Sequence, residues 1–538
     1  MAKCTHLDQI KDVSPAGNGC ADCIKQGDTW VHLRMCRTCG YVGCCDDSKN
    51  KHASLHFQQT RHPIIRSLEI DEGWDWCYID EIFLEETGPP PDRVEAGGQS
   101  NQVIRNYLVI AGLYTLSASL IWGVNTLFLL DAGLDIFQVF IANAVFTASM
   151  ALFEIPTGVL ADTRGRRASF LLSVVIVLIG TLGYVGVATA GGGLFLFSVM
   201  SIVLGLGYTF YSGAVEAWLV DALNATGYSG ELDHVFARGS MVSGAAMLIG
   251  SVGGGLLGTV NLSIPFLVRA GLLAMVFVIA FFTMHDLGFA PRATKMTQLP
   301  KEMNRIAQES VTYGWQSRPV RLLMIAAFIQ SIFFFWGFYA WQPYFLELLG
   351  QNLPWVAGVI AALVALAMIV GNSIVDWLTR YCGKRTTLLL WAAAIQTVAA
   401  IGVGLAGSFW LAVTLYLIAM GAVGVWGPVR QAYMHQVIPS AQRASVISFD
   451  SMITSGGSVM GQLGLGRLAQ TQSISAGYVV GGLITLLVLP VVVRVRRLDE
   501  PADIIVGTAG KRGACAAQGL PNVAGIDANS PVMTTPDA

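Results

Sequence analysis

From residue 106 onward the chain lays down one apolar run after another, each near the length of about 20 residues that a helix needs to cross a bilayer. The runs fall near 106–130, 135–160, 168–190, 193–221, 236–259, 263–284, 320–347, 354–376, 386–406, 409–430, 444–466 and 474–493. Twelve spans are therefore expected, in two sets of six split by a polar loop at 288–318. Composition agrees: 54% of residues are hydrophobic and 13% charged, where soluble domains carry about 25% charged residues. With a formal net charge of -2, nucleic acid is not expected as a partner.

Positive residues collect on one side of these runs. Arg164, Arg166 and Arg167 follow span two; Arg292, Lys295, Lys301, Arg305 and Arg318 fill the central loop. Arg380, Lys384 and Arg385 follow span eight, and Arg494, Arg496 and Arg497 end span twelve. The opposite loops, 131–135, 190–193, 348–353 and 406–409, hold no Lys or Arg. Positive loops stay cytoplasmic. The expectation is a multi-pass protein of the plasma (inner) membrane with both termini in the cytoplasm.

Ahead of the spans, residues 1–85 hold eight of the ten cysteines, interleaved with histidines. The donors run Cys4-x-His6, Cys20-x2-Cys23, Cys36-x2-Cys39, Cys44, His52-x3-His56, His62 and Cys77-x2-Asp80. No secretory signal is read at the amino end, so a reducing compartment and metal ligation, not disulfides, are expected. Zinc takes four N, S or O donors in a tetrahedron, and a Cys-x2-Cys turn supplies two. Segments this short and polar need metal to fold.

These residues, with Trp30, the run Cys36–Gly43, His62-Pro63 and Trp76-Cys77-Tyr78, resemble the zinc finger of ubiquitin-specific proteases. The resemblance implies a small α+β domain in which Cys20, Cys23, Cys44 and His52 hold one zinc and Cys36, Cys39, His56 and His62 a second. It implies a third site from Cys4, His6, Cys77 and Asp80, where Asp80 replaces a cysteine. Cys45 is left over. Family members that bind ubiquitin grip its carboxylate in an aromatic pocket with an arginine just after the residue matching Cys44. Here Trp76 and Tyr78 stand at the pocket, but Asp46 occupies the arginine's place, and an aspartate repels a carboxylate. The finger is thus expected to dock a protein or peptide tail other than ubiquitin's; Arg34 or His32 offers an alternative anion site.

Residues 86–104 read as a Pro- and Gly-rich linker. Between spans two and three stands Gly158-Val159-Leu160-Ala161-Asp162-Thr163-Arg164-Gly165-Arg166-Arg167, and span eight is followed by an echo in Asp376, Gly383, Lys384 and Arg385. The first closely resembles the loop signature of the major facilitator superfamily. That resemblance implies an all-α, twelve-helix fold: one six-helix half at 105–288, a central loop at 289–319 and a second half at 320–497. In it the glycine lets helices approach, and the charges form a latch that breaks and remakes as the halves rock. Residues 498–538 read as a disordered tail.

Charges inside spans are costly and mark function or pairing. Glu154 and Glu216 are expected as proton carriers, Asp221, Arg238 and Asp450 as latch partners, and Arg269 as a solute anchor. Gln330, Trp336, Tyr339, Trp341, Gln342, Trp426 and Arg430 are expected to line a cavity for an amphiphilic or ring-bearing solute. The glycines of span five resemble the antiporter motif of drug exporters, without its proline. The expected function is proton-coupled export of small organic solutes with a cytoplasmic zinc module. The alternative is a non-transporting receptor or scaffold. No nucleotide loop or hydrolase elbow points to an enzyme.

Overall fold

The computed structural model describes residues 4–68 without 12, 18, 27 and 29, residues 74–84, 94–288 without 229, residue 308, and 310–505 without 440 and 441. Two compact units result, Met1–Arg105 with Val220–His234, and Asn106–Leu219 with the chain from Val235.

In the first unit, α1 (Ala21–Gln26) and α2 (His52–Thr60) accompany five short strands: β1 (Leu33–Cys36), β2 (Val42–Cys44), β3 (Ile64–Ser67), β4 (Asp75–Cys77) and β5 (Ile82–Leu84). They form one antiparallel sheet in the order β2-β1-β3-β4-β5. Across β3 and β4, Arg66 stands opposite Asp75. Asp75 is fully buried and accepts from Arg66 Nε at 2.7 Å and Nη2 at 3.1 Å. Little aliphatic surface is available to strands this short. The buried clusters are largely thiols: Cys4 and Cys77 with Ile64 and Leu84, and Cys20, Cys23 and Cys44 together.

The helices that follow are α3 (Val94–Ser119), α4 (Asn125–Asp131), α5 (Ile136–Arg164), α6 (Arg166–Thr189), α7 (Leu194–Tyr211), α8 (Ala214–Ala225), α9 (Leu232–Val260) and α10 (Ile264–Thr283). The second half holds α11 (Arg318–Leu349), α12 (Pro354–Ser373), α13 (Val375–Thr379), α14 (Arg385–Leu405), α15 (Phe409–Val437), α16 (Arg443–Thr471), α17 (Ile474–Leu486) and α18 (Val488–Arg496). Among the described residues, ten stretches are long and apolar enough to cross a membrane, against twelve expected. The other two are helical too. Span one is α3 and α4, broken near residues 120–124. Span eleven is α16, whose buried Asp450, Ser458 and Gln462 lower its apolar character. These polar groups are tolerated because each is buried with a partner: Asp450 with Arg430, Ser458 with the Thr454 carbonyl and Gln462 with Thr147.

The two halves repeat one packing scheme. A Cβ on Gly254 of α9 would strike the Leu120 backbone, and one on Gly461 of α16 would strike that of Ile332 in α11. Span five thus nests on span one as span eleven nests on span seven, with glycine allowing the close approach. The halves meet along α5 and α16, where Gln462 donates to Thr147 at 3.1 Å.

Two boundaries differ from expectation. The assumed linker is helical from Val94. Of the assumed tail, residues 498–505 are folded: Pro501–Asp503 makes a helical turn and Ile504 bridges to Lys384. The rest of the tail, from 506, and most of the central loop, including Arg292, Lys295, Lys301 and Arg305, lie outside the described residues.

Candidate solute cavity, loop latches and metal clusters

In the finger, Gly43 sits so close to α2 that a Cβ would fall 2.6 Å from Ala53 N. That approach brings His52 to Cys44. Cys20, Cys23, Cys44 and His52 form one donor cluster; Cys36, Cys39, His56 and His62 form another; Cys4, His6, Cys77 and Asp80 form a third. His52 Nδ1 lies 3.2 Å from both Cys20 and Cys23 Sγ, and Cys23 Sγ lies 3.7 Å from Cys44 Sγ. A zinc tetrahedron with Zn–S of about 2.3 Å has S···S edges of about 3.8 Å, so the donors fit. In the second cluster Cys39 Sγ is 3.3 Å from His56 Nε2 and Cys36 Sγ 3.5 Å from His62 Nδ1. In the third, Asp80 Oδ2 is 2.9 Å from His6 Nδ1 and 3.6 Å from Cys77 Sγ. Without metal, burial pushes the Cys23 thiol up to about 12 and Cys4 up to about 11. A bound cation must displace those protons, and its charge then stabilises the thiolates. The Thr5 backbone N–H and then His6 hold Asp80 far below the usual carboxylate range.

Beside the clusters, a pocket of about 230 Å3 is lined by Arg34, Asp46, Trp74, Trp76, Tyr78 and Phe83, among others. Arg34 lies over the Trp74 ring at 4.7 Å, and Trp76 meets Phe83 at 4.7 Å. Tyr78 stacks on Phe57 at 4.7 Å, so it serves packing as well as the pocket. Asp46 accepts from Ser54 Oγ at 2.6 Å, which fixes a negative charge at the rim.

In the second unit, the loop after α5 is held by a residue the sequence reading missed. Asp286, just beyond α10, accepts from the Arg167 backbone N–H at 2.9 Å, and Arg167 Nη2 donates to the Phe281 carbonyl at 2.7 Å. Gly165 has φ +102°, and a Cβ there would fall 2.5 Å from Asp286 Oδ2. The second half repeats the device. Asp503 accepts from Thr386 N at 2.7 Å and Thr386 Oγ1 at 2.8 Å. Arg385 donates to the carbonyls of Ala502 and Ile504, and Lys384 Nζ pairs with Asp499 at 2.6 Å. In each half a carboxylate from beyond the sixth span caps the N-terminus of the third, where the helix dipole favours it.

The other expected latch residues are placed as follows. Gly158 and Gly383 have nothing within 4 Å of a Cβ position, so neither is a helix contact here. Asp376 is exposed, as is Arg164. Asp162 lies in α5, its side chain outside the described set. Arg166 opens α6. Among the described residues Asp450 pairs with no latch arginine but, within its own half, with Arg430, which also donates to the Leu323 carbonyl at 3.3 Å. Glu216 and Arg238 are exposed, and Asp221 is half-buried in α8. Glu154 accepts from Ser451 Oγ of α16 at 3.3 Å, across the junction of the halves.

Two adjoining cavities, of about 530 and 310 Å3, share Trp122, Phe335, Phe338 and Tyr339. The larger reaches Met368, Asn372 and Pro428 in the second half; the smaller reaches Asn143, Tyr184, Tyr208 and Arg269 in the first. Tyr339 and Trp341 line the space, and so do Trp122, Asn143 and Tyr208, which the sequence reading did not name. Several predicted lining residues do not line it. Trp336 and Trp426 are core residues. Gln330 is buried against Gln396. Gln342, 0% exposed, accepts from Thr126 N and donates to the Trp122 carbonyl, both at 2.9 Å. It splints the break between α3 and α4 to the second half. Close by, Gly123 lies against Ala357 and Gly358, and Gly255 of α9 against Gly358. These contacts hold the halves together near the end bearing the loops without arginine.

The Major Facilitator Superfamily model matches residues 107–461 and 356–522, and the model "Zn-finger in ubiquitin-hydrolases and other protein" matches residues 20–87. The uncharacterised MFS-type transporter YxaM of Bacillus subtilis (strain 168) is 21% identical over 417 residues, 75% of this chain and 98% of that protein. The crystal structure of nucleoside transporter NupG shares the fold at a TM-score of 0.60 and 11% identity, covering 73% of this chain and 98% of that one. A POT family transporter in complex with 5-aminolevulinic acid does so at 0.59 and 15%, covering 73% and 96%. Fold, loop latches and family match agree: this chain belongs to the Major Facilitator Superfamily and carries a ubiquitin-hydrolase-type zinc finger ahead of its membrane body.

Proposed function

We propose that the chain is a secondary active transporter that exports small organic solutes by alternating access, in exchange for protons. The observation that carries this reading is the aromatic cavity between two matching halves, which Gly255 on Gly358 and the Gln342 splint hold together near one end. Transporters of this architecture rock their halves about such a site. Glu154 is the proposed proton carrier: it lies at the α5–α16 junction, touches the opposing half through Ser451, and has no cationic partner among the described residues. The capped loops 165–167 and 384–386 brace each half as a rigid body during the motion. The membrane is the plasma (inner) membrane, and both termini face the cytoplasm.

The finger is proposed to bind three zinc ions and to serve as a docking or regulatory module for a protein tail. All of its clusters offer four donors each, so zinc there is structural, without an open catalytic position. The test is flux from proteoliposomes under an imposed pH gradient. Gradient-driven, saturable solute flux that Glu154→Gln uncouples is expected. No gradient-dependent flux across a broad solute panel would refute transport and leave the scaffold.

A further inference from the structure

Among the described residues, Arg269 is a buried charge of the membrane body with no ionic partner. It lies in the second turn of α10, 2% exposed. Its Nη2 donates to Tyr208 Oη at 3.0 Å, its guanidinium sits 5.8 Å over the Tyr208 ring, and its Nε has no hydrogen-bond partner. No carboxylate pairs with it among the described residues. A guanidinium cannot shed its proton to escape burial. A buried unpaired cation costs several kcal/mol.

The surroundings share this bias. Arg269 lines the smaller cavity, and no acidic residue lines either that cavity or the larger one. Asn143, 4% exposed, accepts from Asn125 and leaves its buried Nδ2 without a partner. What the cavity lacks is therefore an acceptor and a negative charge. Its walls are rings: Trp122, Phe146, Phe266, Phe335 and Phe338. A volume of about 310 Å3 beside a second, apolar cavity with four shared lining residues suits a small ligand with an aromatic body.

We propose that the transported solute is an organic anion with an aromatic body, and that Arg269 binds its carboxylate. This rests on the transport reading above and adds the substrate class. The Nε and Nη groups form a fork that matches two carboxylate oxygens, Asn143 Nδ2 offers a further donor, and the ring stacks in the shared aromatic belt. Tyr208 is a positioning residue that holds the guanidinium toward the cavity.

Titration calorimetry on the full chain in lipid nanodiscs tests this with three probes of one shape: indole-3-acetate, its neutral amide and the cation tryptamine. The wild-type protein should bind the acetate at least about tenfold more tightly than the amide, as expected for hydrogen bonds to a charged group. Arg269→Met should bring that ratio near one, and Arg269→Lys should keep the preference at reduced affinity. Equal binding of acetate and amide, preference for tryptamine, binding of none of the three, or a preference that survives Arg269→Met would overturn the proposal. Should Arg269→Met fail to fold, the wild-type ratio still decides. Tryptamine flux indifferent to Arg269 would sink the anion class while leaving transport standing. Acetate binding without any flux would do the reverse.

Discussion

Replacing Gly165 by alanine attacks the loop after α5 where it is tightest. At φ +102° and ψ 151° the residue occupies a region essentially reserved for glycine, and an L side chain there costs about 1–3 kcal/mol. The new Cβ would also stand 2.5 Å from Asp286 Oδ2, so the carboxylate must move off the Arg167 N–H it caps at 2.9 Å. Losing a helix cap costs about 1 kcal/mol. Gly165→Ala should therefore destabilise by about 2–4 kcal/mol and Asp286→Ala by about 1 kcal/mol. The double variant should fall short of the sum by about 1 kcal/mol, because the first change already removes the cap. Equilibrium unfolding in mixed micelles reads all three. Strict additivity, or a Gly165→Ala cost under about 0.5 kcal/mol, would refute the linkage between glycine and cap.

Metal analysis of the full chain should find three zincs, and chelation should unfold the finger while the membrane body keeps its melting transition; retained finger structure after chelation would contradict a metal-built core. Asp46→Arg should convert the finger pocket to one that captures a free C-terminal carboxylate, such as ubiquitin's tail, in a pull-down the wild-type chain fails. Capture by wild type would overturn the charge-reversal argument. The Lys384 contact holds Asp499 below the usual carboxylate range. Its folded pKa is lowered, so its contribution is present above about pH 3.9 and fades as pH falls through the folded value. Asp499→Asn should thus lower the melting point slightly at neutral pH, less in high salt, and not at all in strong acid; a cost that persists in acid would refute the ion pair's role.

The membrane body was legible because apolar runs and arginine placement are local signals, read without knowing any contact. Span eleven was harder for a physical reason: the buried face of α16 carries Asp450, Ser458 and Gln462, which bond to neighbouring groups and lower the apolar signal. The donor clusters were legible because zinc chemistry restricts residue types and turns. Pairings across space were not. Gln342 reads as a cavity residue until the break in span one supplies its backbone partners, and Asp450 reads as a latch partner until Arg430 is found one helix away in the same half. Asn143 and Tyr208 were not legible because nothing local separates an uncharged polar residue that lines the Arg269 cavity from one that packs between helices. Asp286 had a findable signal: a lone aspartate just past span six, matched by the aspartates past span twelve.

Alternating access is tested most directly by the reach of a thiol reagent to Ala118→Cys, a small buried position on the wall of the Arg269 cavity. In sealed right-side-out vesicles, outer-face labelling should be slow at rest and faster when a proton gradient drives turnover, and the inner face, exposed in inverted vesicles, should label readily. Absence of outer-face labelling under every gradient and solute, with inner-face labelling intact, would mean that the outer end never opens and would contradict alternating access.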